Sequence, residues 1–141
     1  MKEQWIASKS VDVLLAEIAD GQKTIVAGGT DLLIQMREMK PEDMPVEIID
    51  ISKVHSLCEI REEKDSLILG ATVTYSDLMN SDLVSRTLPI LAQAAMDIGS
   101  PQVRNRGTLG GSLANASPAA DMAPIWVLLQ AEVVLQKQGN Q

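Results

Sequence analysis

Residues Lys23 to Met39 read KTIVAGGTDLLIQMREM. Lys23 to Ala27 is a short β-branched run of the kind that forms a buried strand. Gly28 and Gly29 interrupt it, and from about Thr30 to Met39 the pattern predicts a helix. Strand, glycine turn and helix thus follow in direct succession, the opening of an α/β unit. Glycines let a backbone approach a ligand closely, and first-turn amides with the helix dipole attract an anion. The loop AGGTDLL, Ala27 to Leu33, therefore has the makings of a diphosphate cradle built from main chain. A plain tight turn between strand and helix is the competing reading, because short Gly-rich turns are weak motifs. Asp31 has the wrong charge to touch phosphate, and is expected to cap the helix or serve its dipole with the side chain turned away.

Working outward, Gln4 to Ala7 predicts a strand, and Val11, Leu14, Leu15 and Ile18 fall on one face of a helix with Ser10 as N-cap and Gly21 as its stop. Pro41 and Pro45 bracket a polar link, after which EIIDI, Glu47 to Ile51, reads as a strand closing a βαβ-like unit. A boundary near Ser52 to Ser56 gives two lobes, 1–54 and 55–141. The second opens with short strands at Leu57 to Glu62 and Ser66 to Gly70, joined as a hairpin by the charged turn Glu63 to Asp65. Helices are expected at Tyr75 to Met79 and at Pro89 to Ile98, with Leu91, Ala94, Ala95 and Ile98 on one face. An apolar run from Met122 to Leu129 and a last strand near Glu132 to Gln136 complete the pattern.

Between Gly99 and Asp121 the composition shifts to Gly, Ser, Ala, Asn and Pro, a long loop that a packed domain seldom carries without a function. Thr108, Gly110, Gly111 and Ser112 form a small-residue strip, and Asn115, Ser117 and Asp121 add donors and acceptors at short intervals. That surface suits a polyhydroxylated, phosphorylated ligand. Asp121 has two open roles, accepting hydrogen bonds from sugar hydroxyls or sitting at a helix N-terminus. Arg104 and Arg106 have two as well: a ligand phosphate, or local carboxylates, the surface ion pair being favoured for at least one.

Bulk properties narrow the function further. With 141 residues, 45% of them hydrophobic, the chain has the size of one globular domain or two small lobes. A net charge of -7 would repel a phosphate backbone, and with no Phe, two Trp and one Tyr, stacking platforms for bases are lacking. The sequence carries no run of about 18 apolar residues and no secretory signal, so a soluble, cytoplasmic protein is expected, with no membrane partner. The lone Cys58 cannot supply an iron–sulfur cluster, and His55 with Cys58 makes too small a ligand set for a metal. No general acid, base or nucleophile stands out, so any chemistry belongs to a cofactor.

Three ordered stretches, TIVAGGTDLLIQMR, LILGATVTYSDL and IGSPQVRNRGTLGGSLANASPAADMAP, resemble the FAD-binding subunits or domains of the xanthine dehydrogenase and carbon monoxide dehydrogenase (molybdenum hydroxylase) family. The resemblance implies an α+β, two-lobed FAD-binding fold of the p-cresol methylhydroxylase and vanillyl-alcohol oxidase type, a small α/β lobe beside one with antiparallel sheet. It implies that Val26, Ala27, Gly28, Gly29, Thr30, Asp31 and Leu32 wrap the FAD diphosphate. Thr108, Leu109, Gly110, Gly111 and Ser112 would also contact FAD, Asp121 would be a polar contact with Asn115 and Ser117, and Ala71 would lie near the flavin. FAD is expected to be noncovalent. The molybdenum cofactor and [2Fe–2S] clusters would sit on partner subunits, passing electrons through FAD to NAD+ or another acceptor.

Relatives of this type continue past the QKQGNQ terminus, so a fragment, a truncated product or one half of a split subunit is expected, associating with the missing C-terminal half or with itself. A truncated remnant that folds and oligomerises without flavin is the alternative function. A Rossmann-type nucleotide binder is disfavoured, since the first loop lacks G-x-G-x-x-G spacing.

Overall fold

The computed structural model describes residues 4–138. Three strands, β1 (Gln4–Ala7), β2 (Thr24–Val26) and β3 (Glu47–Asp50), form a parallel sheet in the order β1-β3-β2. The central strand of a parallel sheet is covered on both faces, and successive side chains point to opposite sides. Accordingly Ile48 and Ile49 are both fully buried, but in different cores. Ile49 packs with Leu14 from α1 (Val11–Glu17) and with Ile51 and Val54, whereas Ile48 packs with Val26 and with Met36 from α2 (Leu32–Glu38). The two helices therefore cover opposite faces of the sheet. Ser10 caps α1 as expected, its hydroxyl accepting from the Val13 amide, and Gly21, at φ +70°, closes the turn beyond the helix.

The hairpin follows as β4 (Ile60–Glu63) and β5 (Ser66–Leu69), antiparallel, with Ile60 opposite Leu69. Helices α3 (Tyr75–Asn80), α4 (Asp82–Thr87) and α5 (Pro89–Met96) then build a third core around Leu78, Val84, Leu91 and Ala95. α4 was not expected from the sequence; Ser81 caps it through the Val84 amide.

The segment Gly99 to Asp121, expected to be a loop, holds two short helices, α6 (Pro101–Arg104) and α7 (Leu109–Asn115). Each has a hydroxyl N-cap, Ser100 accepting from Val103 and Thr108 from Gly111. Such caps satisfy amides that a helix start leaves unpaired. Ala116, in the left-handed region at φ 49°, ends α7. The apolar run becomes α8 (Ala123–Leu128), and Met122 before it is buried in the third core.

The last expected strand, Glu132 to Gln136, does not form. Those residues carry no regular structure, and Val134 and Leu135 are about nine-tenths exposed. Strand-forming residues yield a strand only where a partner edge accepts their amides and carbonyls. Among the described residues no helix is long and apolar enough to cross a membrane.

Candidate functional site

The β2–α2 loop meets the α6–α7 region across a cleft of about 430 Å³. Both glycine-rich stretches line it, although they lie some eighty residues apart in sequence, as Gln35 and Asn115 do where their side chains bond across it at 3.4 Å. From the first stretch, all of Val26, Ala27, Gly28, Gly29, Thr30, Asp31 and Leu32 reach the cleft. From the second, Thr108, Gly111, Ser112, Asn115, Ser117 and Asp121 do.

Ala71, Leu109 and Gly110 do not line it. Leu109 is buried in the third core, and its amide donates to the Val73 carbonyl at 3.0 Å. Gly110 donates to the Ala71 carbonyl at 2.8 Å, and a Cβ on it would lie 2.7 Å from the Ala71 methyl. Ala71 and Gly110 thus serve each other's packing.

Amide accounting separates the two stretches. In the first, the backbone N–H groups of Gly28 through Leu32 donate to no acceptor among the described residues; bonding begins only with Leu33, which donates to the Gly29 carbonyl at 3.2 Å. In the second, the amides of Leu109 and Gly110 are taken by Val73 and Ala71, that of Gly111 by the Thr108 hydroxyl, and that of Ser112 by the Thr108 carbonyl. A helix start ordinarily leaves its first amides unpaired, and where the residues carrying them line a cleft they are open to an acceptor from outside. The first stretch offers N–H donors without partners among the described residues. The second offers none from Leu109 to Ser112 at its helix start.

Glycine has a different reason at each place. Gly29 has φ +74°, which favours glycine directly. Gly28 has no space for a side chain, because a Cβ there would overlap the Arg106 carbonyl and sit 3.2 Å from the Gly107 Cα. The two walls of the cleft touch backbone to backbone at this point.

Asp31 occupies the N-cap position of α2 but makes no side-chain cap; its carbonyl accepts from Ile34 and Gln35 at 3.0 Å. Asp31 thus makes no side-chain cap, while its position at the start of α2 fits the expected place beside the helix dipole, and the residue also lines the cleft. Asp121 is exposed, precedes the N-cap Met122 of α8, and makes no hydrogen bond among the described residues. Its carboxylate is free to accept from a ligand. Ser117 accepts from the Ala119 amide at 3.3 Å. Arg104 donates to the Ile98 and Gly99 carbonyls at 2.9 and 3.0 Å, closing the end of α5, and neither it nor Arg106 forms an ion pair among the described residues. The expected surface pair is not made.

Sequence reasoning missed Tyr75, Gln35 and Gly107 as cleft residues. All three lie within the family-like stretches, Gln35 in the first, Tyr75 in the second and Gly107 in the third, but nothing in the local pattern sets them apart there. Cys58 lies outside the cleft, with its sulfur 3.1 Å from the Thr72 hydroxyl, and His55 is almost fully exposed, 3.7 Å from Glu59. Among the described residues no group of three His, Cys, Asp or Glu is placed to hold a metal. The clearest electrostatic feature involves residues that do not line the cleft. Lys23 donates to Asp20 at 2.7 Å and lies 3.5 Å from Glu47; the hydrogen bond holds the Asp20 carboxyl below its usual range and the Lys23 ammonium above its own.

The whole chain, residues 1–141, matches the family model described as FAD binding domain in molybdopterin dehydrogenase. It is 38% identical to the 6-hydroxypseudooxynicotine dehydrogenase complex subunit alpha of Paenarthrobacter nicotinovorans, covering 96% of this chain and 46% of that protein. It is likewise 38% identical to the carbon monoxide dehydrogenase medium chain of Hydrogenophaga pseudoflava over 94% of this chain and 46% of that one. A solved structure of that dehydrogenase superposes with a TM-score of 0.76 over 84% of this chain and 41% of its own. Quinoline 2-oxidoreductase from Pseudomonas putida 86 gives a TM-score of 0.76 at 32% identity, over 83% of this chain and 41% of its own. The chain thus spans about half the length of the curated relatives it matches. The α+β architecture expected from the sequence is the one these structures share.

Proposed function

We propose that this chain, which belongs to the family of FAD-binding domains in molybdopterin dehydrogenase, holds FAD noncovalently in the cleft between the β2–α2 loop and α7. The observation that carries the proposal is the run of uncommitted amides from Gly28 to Leu32 on the cleft wall. A diphosphate brings the acceptors those donors lack, and a cleft of this volume falls in the range of cofactor pockets, about 300 to 1,000 Å³.

Bound FAD supplies the electron-transfer chemistry, which fits a cleft without a general acid, base or nucleophile of its own. The chain's residues bind and orient. Gly28 to Leu32 present N–H groups to the phosphate oxygens; charge-assisted hydrogen bonds of this kind are roughly twice as strong as neutral ones. Asp31 and Asp121 carry carboxylates suited to ribose or ribityl hydroxyls and unsuited to phosphate, so recognition of phosphate falls to backbone. Thr108 and Gly111 shape the opposite wall, where Ser112 and Asn115 add polar contacts. Ala71, Leu109 and Gly110 act by holding that wall in place. We take 1–54 and 55–141 as the two lobes that meet at the cofactor.

In this reading the chain is part of the flavoprotein subunit of a molybdenum hydroxylase. Partner subunits carry the molybdenum cofactor and the [2Fe–2S] clusters, and electrons leave through FAD to NAD+ or another carrier. The curated relatives include a nicotinate dehydrogenase FAD-subunit from Eubacterium barkeri and a caffeine dehydrogenase subunit beta from a Pseudomonas strain, at 37% and 32% identity. Relatives named for such different substrates favour substrate choice at the molybdenum subunit. A flavinless remnant is not favoured, since the family match and the uncommitted amides of Gly28 to Leu32 both support a flavin site.

The test is titration of the purified chain with FAD, ADP and riboflavin, followed by absorbance and by release of the bound flavin. FAD binding with competition by ADP and not by riboflavin is expected. A folded chain that binds riboflavin as well as FAD would remove the diphosphate cradle; one that binds neither would remove the cofactor.

A further inference from the structure

We propose that Tyr75 is a cofactor-positioning residue, its phenol donating a hydrogen bond to an oxygen of the bound dinucleotide. Tyr75 lines the cleft, yet it is only 6% exposed and belongs to the third core. It is the chain's single tyrosine, and neither Trp5 nor Trp126 lines the same cleft.

Its placement is fixed from three sides. Thr74 caps α3 through a reciprocal box, with the Asp77 amide donating to the Thr74 hydroxyl at 3.1 Å and the Thr74 amide to the Asp77 carboxylate at 2.8 Å. The Tyr75 amide donates to the Gly107 carbonyl at 3.3 Å. The ring packs against Gly107, where an added Cβ would lie 3.0 Å from Cε2. A helix cap, a strand-like bridge and a glycine thus hold one aromatic ring at the cleft wall.

Among the described residues the phenol has no hydrogen-bond partner. Nor is its oxygen among the fully enclosed polar atoms that lack one, so solvent-sized groups reach it. A tyrosine buried over its ring with an open, unpaired hydroxyl is arranged for a ligand acceptor, since buried phenols ordinarily find partners within the protein. This assignment rests on FAD occupying the cleft, and the two can fail separately.

The test compares FAD affinity and apo melting temperature of the chain with those of Tyr75→Phe. Phe keeps the ring in the core and removes only the hydroxyl. Affinity is expected to fall about tenfold, the scale of a hydrogen bond lost from a bound ligand. The apo melting temperature is expected to stay level or rise, since no internal bond is broken. Unchanged affinity in the variant, with FAD still bound by wild type, overturns the role of Tyr75 and leaves the cofactor site standing. A lowered apo melting temperature assigns the hydroxyl to the fold instead. A folded wild-type chain that binds no FAD overturns both.

Discussion

The two glycine-rich stretches look alike in sequence and differ in what their backbones are free to do. Among the described residues AGGTDLL leaves the amides of Gly28 to Leu32 without partners, whereas TLGGS commits each amide from Leu109 to Ser112 to a carbonyl or to the Thr108 hydroxyl. Gly28 and Gly110 are nevertheless glycines for one reason, the approach of another chain segment to within Cβ distance. Glycine content therefore marks close approach, by ligand or by protein. The accounting of donors separates the two cases: it favours the proposed anion binding at the first stretch and wall-building at the second.

The largest effect is expected from Gly28→Ala. Its Cβ would meet the Arg106 carbonyl, a backbone atom that no rotamer change can move aside. Overpacking costs about 1–3 kcal/mol and at times more, and this site belongs at the upper end. Urea unfolding should show the loss in the apo chain, and hydrogen exchange should rise at Gly107, whose amide donates to Val103. Were the apo chain unchanged, Gly28 would answer only to the ligand and the walls would not be joined there.

Gly110→Ala comes next, at about 1–2 kcal/mol, because its clash with Ala71 includes a methyl as well as a carbonyl. Replacing Ala71 by Gly in the same chain should return part of that stability, with the double variant measured by denaturation. FAD affinity per folded molecule should change less than stability. The opposite result would move Gly110 into the cofactor site. Gly29→Ala should cost about 1 kcal/mol from its positive φ, and should weaken FAD more than Gly110→Ala does, since it twists the loop that carries the free amides.

The sheet was legible because its signals are local and agree: a capped helix at Ser10, β-branched runs at Thr24 and Ile48, and a glycine turn between strand and helix. The cleft-lining residues of the first stretch were legible from that same turn. α7 was not, because its interior, LGGSLAN, has low helix propensity and is held by bonds to Val73 and Ala71 that no local pattern records. Its one local signal was Thr108, a cap residue without an acidic partner three positions on. Glu132 to Gln136 failed in the other direction: the residues favour a strand, and strand formation depends on a partner edge that the sequence window does not contain. Tyr75 was hidden for a similar reason, since its value lies in an unpaired hydroxyl, which is a property of its surroundings.

The finest discrimination lies within α7 itself. A Cβ on Gly111 would sit 2.7 Å from the Thr108 hydroxyl, the same atom that accepts the Gly111 amide at 3.1 Å. Thr108→Ala alone should cost about 1 kcal/mol, the usual loss of an N-cap. Gly111→Ala alone gains helix propensity of about 1 kcal/mol and loses it again to the displaced cap, leaving the chain near neutral. In the double variant the cap is already gone, so the propensity gain should reappear and the two changes should fail to add by about 0.5 to 1 kcal/mol. Strict additivity would mean that the Thr108 hydroxyl does not hold Gly111, which would return the Gly111 amide to the ligand and erase the contrast between the two stretches.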